Sequence, residues 1–402
     1  MPRAAIPRML VWLCCVFLLQ ACSRAPQATL DHDAYIWQRV WTPEVVTAMQ
    51  DSSTAIHAWR VLAAQTDATG RLQRFHPDRA ALAASGKPVV LVLRIDGQLP
   101  QFNEDALLAG ALDLWRDWQG SGVSLAGLEI DHDCGTARLP AYATFLTRLH
   151  AAMPAPASLS ITALPAWLSS PALVDVLAAV DQSVLQVHAV RDPRAGLFDP
   201  VLARHWADDY AARSDKPFRL ALPNYGSRVS WDAQGRIVAV SSEAVVLDAH
   251  EDSRELLAQP AQLADFLRSL RTDPPPHLEG IAWFRLPTTQ DLRTWSLPTW
   301  LAVIRGGPLQ AKVVASLQPG DVAGAWDVRL RNGGEVDVNL PVRVALPDGC
   351  SPADGVNGYR LRTDQRGISL ERVQQGLLRT GQQRTIGWAR CPAGGENLHV
   401  DQ

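Results

Sequence analysis

The chain has 402 residues, 47% of them hydrophobic and 20% charged, with a formal net charge of -3 at pH 7. That length suits one large domain and one small one, and the composition is that of a folded globular protein. The near-neutral balance supplies no basic surface for phosphates, so no nucleic-acid partner is expected.

At the start, Arg3 and Arg8 precede an apolar run over residues 9–19 that is too short to cross a bilayer. Ala21 then precedes Cys22, so residues 1–21 read as a cleaved export signal. Leu19-Gln20-Ala21-Cys22 resembles a bacterial lipobox. The resemblance implies a lipid on Cys22, a periplasmic protein, and membrane attachment through that anchor only. Ser23 stands where an inner-membrane retention signal has Asp, which implies the outer membrane of a Gram-negative bacterium. An ordinary secretory signal with an incidental cysteine is the alternative. Residues 22–32 form a tether.

Export also organises the cysteines. Cys14 and Cys15 leave with the signal, so Cys134, Cys350 and Cys391 remain beside the acylated Cys22. Cys350 and Cys391 both lie near the C-terminus and are expected to form a disulfide in an oxidising compartment. Cys134 reads as a small buried filler, with a catalytic thiol as the alternative.

Strand-like runs then alternate with helical ones. The strands are expected at residues 34–40, 55–63, 88–95, 127–133, 159–164, 184–190, 218–222 and 280–284. Apolar stripes at helical spacing lie between them: Tyr142, Phe145, Leu146 and Leu149; Leu173, Val176, Leu177 and Val180; Leu263, Phe266, Leu267 and Leu270. Prolines stand at or just before the first turn of each. Eight strands, each followed by a helix, predict a (β/α)8 barrel of the TIM type over residues 33–307. An open doubly wound sheet is the alternative. Residues 223–259 form a long insertion after the seventh strand, with a hairpin expected around Asp232-Ala233-Gln234-Gly235. Residues 308–402 carry short alternating runs without a helical stripe, which predicts a small C-terminal β-sandwich.

In such a barrel the reactive end is the one holding the strand C-termini. On residues 127–133, Glu129, Asp131 and Asp133 alternate with Leu128, Ile130 and His132, so the three carboxylates share one face. The other face meets apolar helices, so the acids are expected in the lumen. Glu129 lies deepest and is expected to pair with an inward arginine such as Arg94. Asp131 and Asp133 lie nearer the mouth and are the candidate catalytic pair. The same parity places Arg94 and Asp96, Ser160 and Thr162, Gln186 and His188, and Trp283 and Arg285 inward. Tyr35, Trp37, His57 and Trp59 are further candidates on the first two strands. Asn224 and Tyr225 follow the seventh strand. Arg94, Asp96, Gln186, His188, Asn224, Tyr225, Trp283 and Arg285 are the candidate substrate-binding residues. Paired acids beside aromatics and hydrogen-bonding side chains suit a carbohydrate or polysaccharide, without a cofactor or a resident metal. The 14 Trp residues, against 8 Phe and 5 Tyr, suit either core packing or sugar stacking.

Gly127-Leu128-Glu129-Ile130-Asp131-His132-Asp133 resembles the fourth-strand signature of the chitinase-like glycoside hydrolases, Asp-Gly-x-Asp-x-Asp-x-Glu. That resemblance implies an acid role for Asp133 and a substrate-orienting role for Asp131. Ala126, Glu129 and Asp133 depart from the signature. A wider resemblance rests on Tyr35-Ile36-Trp37-Gln38-Arg39-Val40-Trp41-Thr42-Pro43, Leu185-Gln186-Val187-His188 and Leu222-Pro223-Asn224-Tyr225-Gly226-Ser227-Arg228, together with the acidic strand. Those runs are similar to an uncharacterised bacterial family of exported proteins, domain of unknown function 3142. Three functions compete on these residues: a glycoside hydrolase, a non-catalytic glycan-binding or envelope-scaffold lipoprotein, and a metal-dependent hydrolase using Asp131, His132 and Asp133 with His57 or His188. The last requires His132 to leave its own strand parity.

Overall fold

The computed structural model describes residues 28–97, 103–188, 196–241, 252–291 and 293–401. Its elements begin β1 (Asp31–Ile36), α1 (Pro43–Ser52), β2 (Trp59–Thr66), β3 (Leu72–Arg74), α2 (Arg79–Ser85) and β4 (Val89–Ile95). They continue α3 (Glu104–Trp118), β5 (Leu125–His132), α4 (Leu139–Ala152), β6 (Ser158–Ala163), α5 (Leu173–Ala178) and β7 (Gln182–Gln186). Then come α6 (Pro200–Ala211), β8 (Phe218–Pro223), β9 (Gly226–Trp231), β10 (Ile237–Ser241), β11 (Asp252–Leu257), α7 (Pro260–Thr272), β12 (Leu278–Phe284) and α8 (Leu297–Arg305).

Eight parallel strands run in the order β1-β12-β8-β7-β6-β5-β4-β2, and β1 pairs with β2 to close the cylinder. This is a (β/α)8 barrel. The helices start where local chemistry satisfies their free N–H groups. Asp78, Asn103, Asp199 and Ser296 each accept a backbone N–H from the first turn. Proline occupies the first turn of α1, α4, α6, α7 and α8, where no N–H is needed. The stripes over Tyr142–Leu149 and Leu263–Leu270 are buried against the strands, as their spacing predicts.

β1 begins earlier than the sequence suggests, taking in Asp31 and His32. β2 begins later, because Ser53–Ala55 form a 3-10 turn that ends α1. The insertion after β8 carries the three-stranded sheet β10-β9-β11. Its hairpin turns at Asp232, whose Oδ1 accepts the N–H groups of Gln234 and Arg236, while Gly235 takes φ +77°.

Two apolar layers result. A large one lies between strands and helices and holds Trp59, Trp283 and Trp300. A small one lies inside the barrel and holds Tyr35, Trp37, Leu62, Val92, Val184, Ala221 and Ala282. Trp59 and Trp283 therefore face outward, opposite to the inward placement the sequence suggests. On β12 the inward parity belongs to Gly280, Ala282 and Phe284. A Cβ on Gly280 would stand 2.2 Å from Arg219 Nη1, so small residues there make room for that arginine. The Trp283 indole instead donates to His32 Nδ1 at 3.0 Å in the outer layer.

Beyond the barrel two antiparallel sheets pack as a small β-sandwich. One is built on Val313–Pro319, Trp326–Asn332 and Gln383–Ala389, the other on Arg343–Ala345, Tyr359–Asp364 and Gly367–Arg372. They share a core that includes Val328, Leu330, Val344, Leu370 and Ile386. The run 336–346 splits between two sheets, because Pro341 has no N–H to continue a ladder. Cys350 and Cys391 are joined by a disulfide. Buried Asp337 pins the sandwich to the barrel: its carboxylate accepts Ser296 N at 2.6 Å, Ser296 Oγ at 2.7 Å and Thr380 N at 2.9 Å.

Candidate functional site

The lumen is polar at its floor. Asp33 on β1 accepts Arg60 Nε at 3.0 Å and faces Arg219 Nε at 3.1 Å. Burial opposes ionisation of Asp33, but the Arg60 charge, the His57 hydrogen bond and the Arg219 charge outweigh it and hold the carboxyl below its ordinary range. Arg60 also pairs with Glu129. Tyr35 donates to Glu129 Oε1 at 2.6 Å and Ser160 to Oε2 at 3.1 Å. Glu129 is fully buried, and its partner is Arg60 on β2 rather than Arg94 on β4. With every oxygen engaged, this acid ties β5 to β1, β2 and β6.

The mouth lies one layer higher. A cavity of about 210 Å³ opens there, lined by Tyr35, Trp37, Arg94, Asp131, Asp133, Thr162, Gln186, His188, Ala221 and Phe284. It is smaller than the ~300 Å³ at which drug-sized pockets begin, so it suits one ring rather than a long oligomer. Asp131 is 6% exposed and accepts Thr162 Oγ1 at 2.6 Å. Burial and then the Asp133 charge push its carboxyl up to about 7, against the Thr162 hydrogen bond and the Arg94 charge. Asp133 is exposed and accepts Gln186 Nε2 at 3.1 Å. Asp131 near the end of β5 and Asp133 just past it both line the cavity. Asp131 holds a proton near neutral pH because burial, and after it the Asp133 charge, disfavours its ionised form.

The aromatic wall is made by Trp37 and Phe284, whose ring centres are 5.0 Å apart. His188 stacks on Phe284 at 6.0 Å, and burial lowers its pKa, so the imidazole is neutral at pH 7. Thus Asp131, Asp133, Arg94, Gln186 and His188 come together. Five other candidates do not line the cavity. Asp96 is exposed past the end of β4, its N–H bonded to Thr66 Oγ1. Asn224 is buried and donates to the Arg285 carbonyl. Tyr225 stands behind the wall, against His188 and Phe284. Arg285 turns to Asp291, with Nε 2.8 Å from its Oδ2. Trp283 lies in the outer layer. Ala221 and Phe284 are the lining residues that the sequence reading missed, and the small Gly280 and Ala282 were the available signal for the parity of Phe284.

The ligand set of the metal reading is not assembled. His132 points outward, with Nδ1 3.3 Å from the Ile95 carbonyl and its ring against Tyr142. His57 sits at the opposite end, beside Asp33. Among the described residues no group of three or more His, Cys, Asp or Glu side chains is placed to hold a metal ion. Cys134 is buried, and burial pushes its thiol up to about 11, so it is a poor nucleophile. Cys22 lies outside the described residues.

Several solved structures are similar to this chain at low identity. A chitinase from Chromobacterium violaceum is 13% identical with a TM-score of 0.49, covering 69% of this chain and 98% of its own. The spore cortex-lytic enzyme of Bacillus cereus is 11% identical with a TM-score of 0.48, covering 71% of this chain and 76% of its own. A class V chitinase from Pseudomonas fluorescens is 12% identical with a TM-score of 0.48, covering 69% of this chain and 99% of its own. No curated protein sequence matches. Residues 315–392 match a second domain of unknown function, DUF8456. Residues 85–289, just over half of the chain and most of the barrel, match the domain of unknown function DUF3142, and the chain belongs to that family.

Proposed function

We propose that this is a lipid-anchored periplasmic protein of the glycoside-hydrolase type, acting on a polysaccharide or glycan at the barrel mouth. The observation that carries the reading is the meeting of Asp131 and Asp133 in one open cavity walled by Trp37 and Phe284. Glycosidic cleavage needs a proton for the leaving oxygen and a second group for the anomeric carbon or the attacking water. The acid pair holds one proton near neutral pH, since Asp131 is pushed up to about 7. The proton held by the pair passes through Asp133, at the open end, to the leaving oxygen as the glycosidic C–O bond breaks. Water forms the new bond to the anomeric carbon and its released proton returns to the pair, while Asp131 behind orients the ring. Aromatic faces take the sugar C–H surface, while Gln186 and Arg94 reach its hydroxyls. The lipid anchor rests on Cys22, and mass spectrometry of the membrane-extracted protein tests it.

A second reading is a glycan-binding lipoprotein without turnover. The near closure of Asp131 favours it, since only 6% of that residue meets solvent. A screen of the mature protein against envelope and exopolysaccharide oligosaccharides separates the two. New reducing ends support the hydrolase, binding alone supports the lectin-like role, and neither outcome on any glycan removes both.

A further inference from the structure

Arg94 is the charge at the mouth that makes no hydrogen bond to the acid pair. Its side chain is 38% exposed, and its guanidinium carbon lies 5.6 Å from the centre of the Trp37 ring. The carboxylate beside it is Asp131, whose Oδ2 stands 3.9 Å from Arg94 Nε, beyond hydrogen-bond range. Among the described residues the guanidinium has no hydrogen-bond acceptor. The other lumen arginines differ. Arg60 is shared by Asp33 and Glu129, and Arg219 pairs with Asp33. Asp133, the remaining charge at the mouth, is tied by Gln186 to β7, three strands away from β4.

An arginine placed over an indole, with its donors unfilled in an open cavity, is arranged for an anion. The guanidinium fork matches a carboxylate bidentately, and the Trp37 ring beneath it offers a face for the rest of the sugar ring. We propose that the sugar bound at this mouth carries a ring carboxylate received by Arg94, so that the substrate class is a uronic-acid polysaccharide. The inference rests on the glycan reading above and names its substrate class.

The test is calorimetric titration of the mature protein with tetrasaccharides of glucuronate, galacturonate and mannuronate. Each is paired with its counterpart in which the carboxyl is reduced to a neutral hydroxymethyl group. At low salt one uronate is expected to bind about tenfold or more tightly than its reduced partner, and the preference shrinks as salt rises. Arg94→Gln and Arg94→Lys, checked for folding by circular dichroism, are expected to cut that preference to about twofold or less. Equal affinity for acidic and reduced sugars overturns this proposal while leaving the glycan reading standing. A preference that survives in both Arg94 variants overturns it as well, by placing the recognition elsewhere. No binding of either kind by folded protein sinks the glycan reading and this inference together.

Discussion

Thr162 Oγ1 donates to Asp131 Oδ1 at 2.6 Å across the β5–β6 pairing. The bond favours the charged form of a carboxyl that burial and the Asp133 charge push toward neutrality. Thr162→Val removes that donor at nearly constant volume. The apparent pKa of the pair is then expected to rise above its present value of about 7. Carbon-13 NMR titration of labelled Asp carboxyls reads it. An unchanged or lowered value contradicts the assignment.

Asp131 also makes the mouth a stability liability. Its folded pKa of about 7 exceeds its ordinary value of 3.8, so the folded state holds the proton more tightly. The stability linked to that proton is full below the ordinary value and is lost as pH rises toward about 7. Asp131→Asn is therefore expected to match the wild type at acid pH and to exceed it in stability above neutrality. Urea melts from pH 4 to pH 8 measure this, and a variant weaker than wild type at pH 8 refutes it.

The floor beneath behaves oppositely. Arg60 bridges Asp33 and Glu129, and all three are buried. Arg60→Met strands Glu129 without a cation inside the barrel, leaving Asp33 to Arg219 and His57, and is expected to cost about 3–5 kcal/mol. Glu129→Gln keeps the shape and should cost less than Arg60→Met. Equilibrium denaturation ranks the two, and the reverse order contradicts a structural role for Glu129.

The disulfide joins positions 41 residues apart within the sandwich. The Cys350→Ala, Cys391→Ala double variant is expected to lose about 2–4 kcal/mol of stability there. Hydrogen exchange should show the loss in the sandwich strands and spare the barrel amides. Loss spread evenly through the barrel contradicts that localisation.

The barrel was legible because periodicity changes from two to 3.6 with every strand and helix. The acidic strand was legible for the same reason: three carboxylates on one parity cannot face the apolar helix layer. The parity rule failed on β12. There the lumen is filled from β8 by Arg219, so β12 contributes Gly280 and Ala282 and sends its indole outward. Which arginine meets Glu129 was not readable either. The stagger of the closed sheet, rather than strand adjacency, sets which residues share a layer. Asn224 and Arg285 carry site-like chemistry yet fasten a loop, with the amide of one on the carbonyl of the other.

The central claim is that Asp131 and Asp133 act on a sugar held at the mouth. Its most direct test is single-turnover release of reducing ends from a bound oligosaccharide by wild type, Asp131→Asn and Asp133→Asn. Release by the wild type, with loss of a hundredfold or more in Asp133→Asn and retained sugar affinity, is the expected result, on the order of what a general acid contributes. Undiminished release by the Asp133 variant contradicts it.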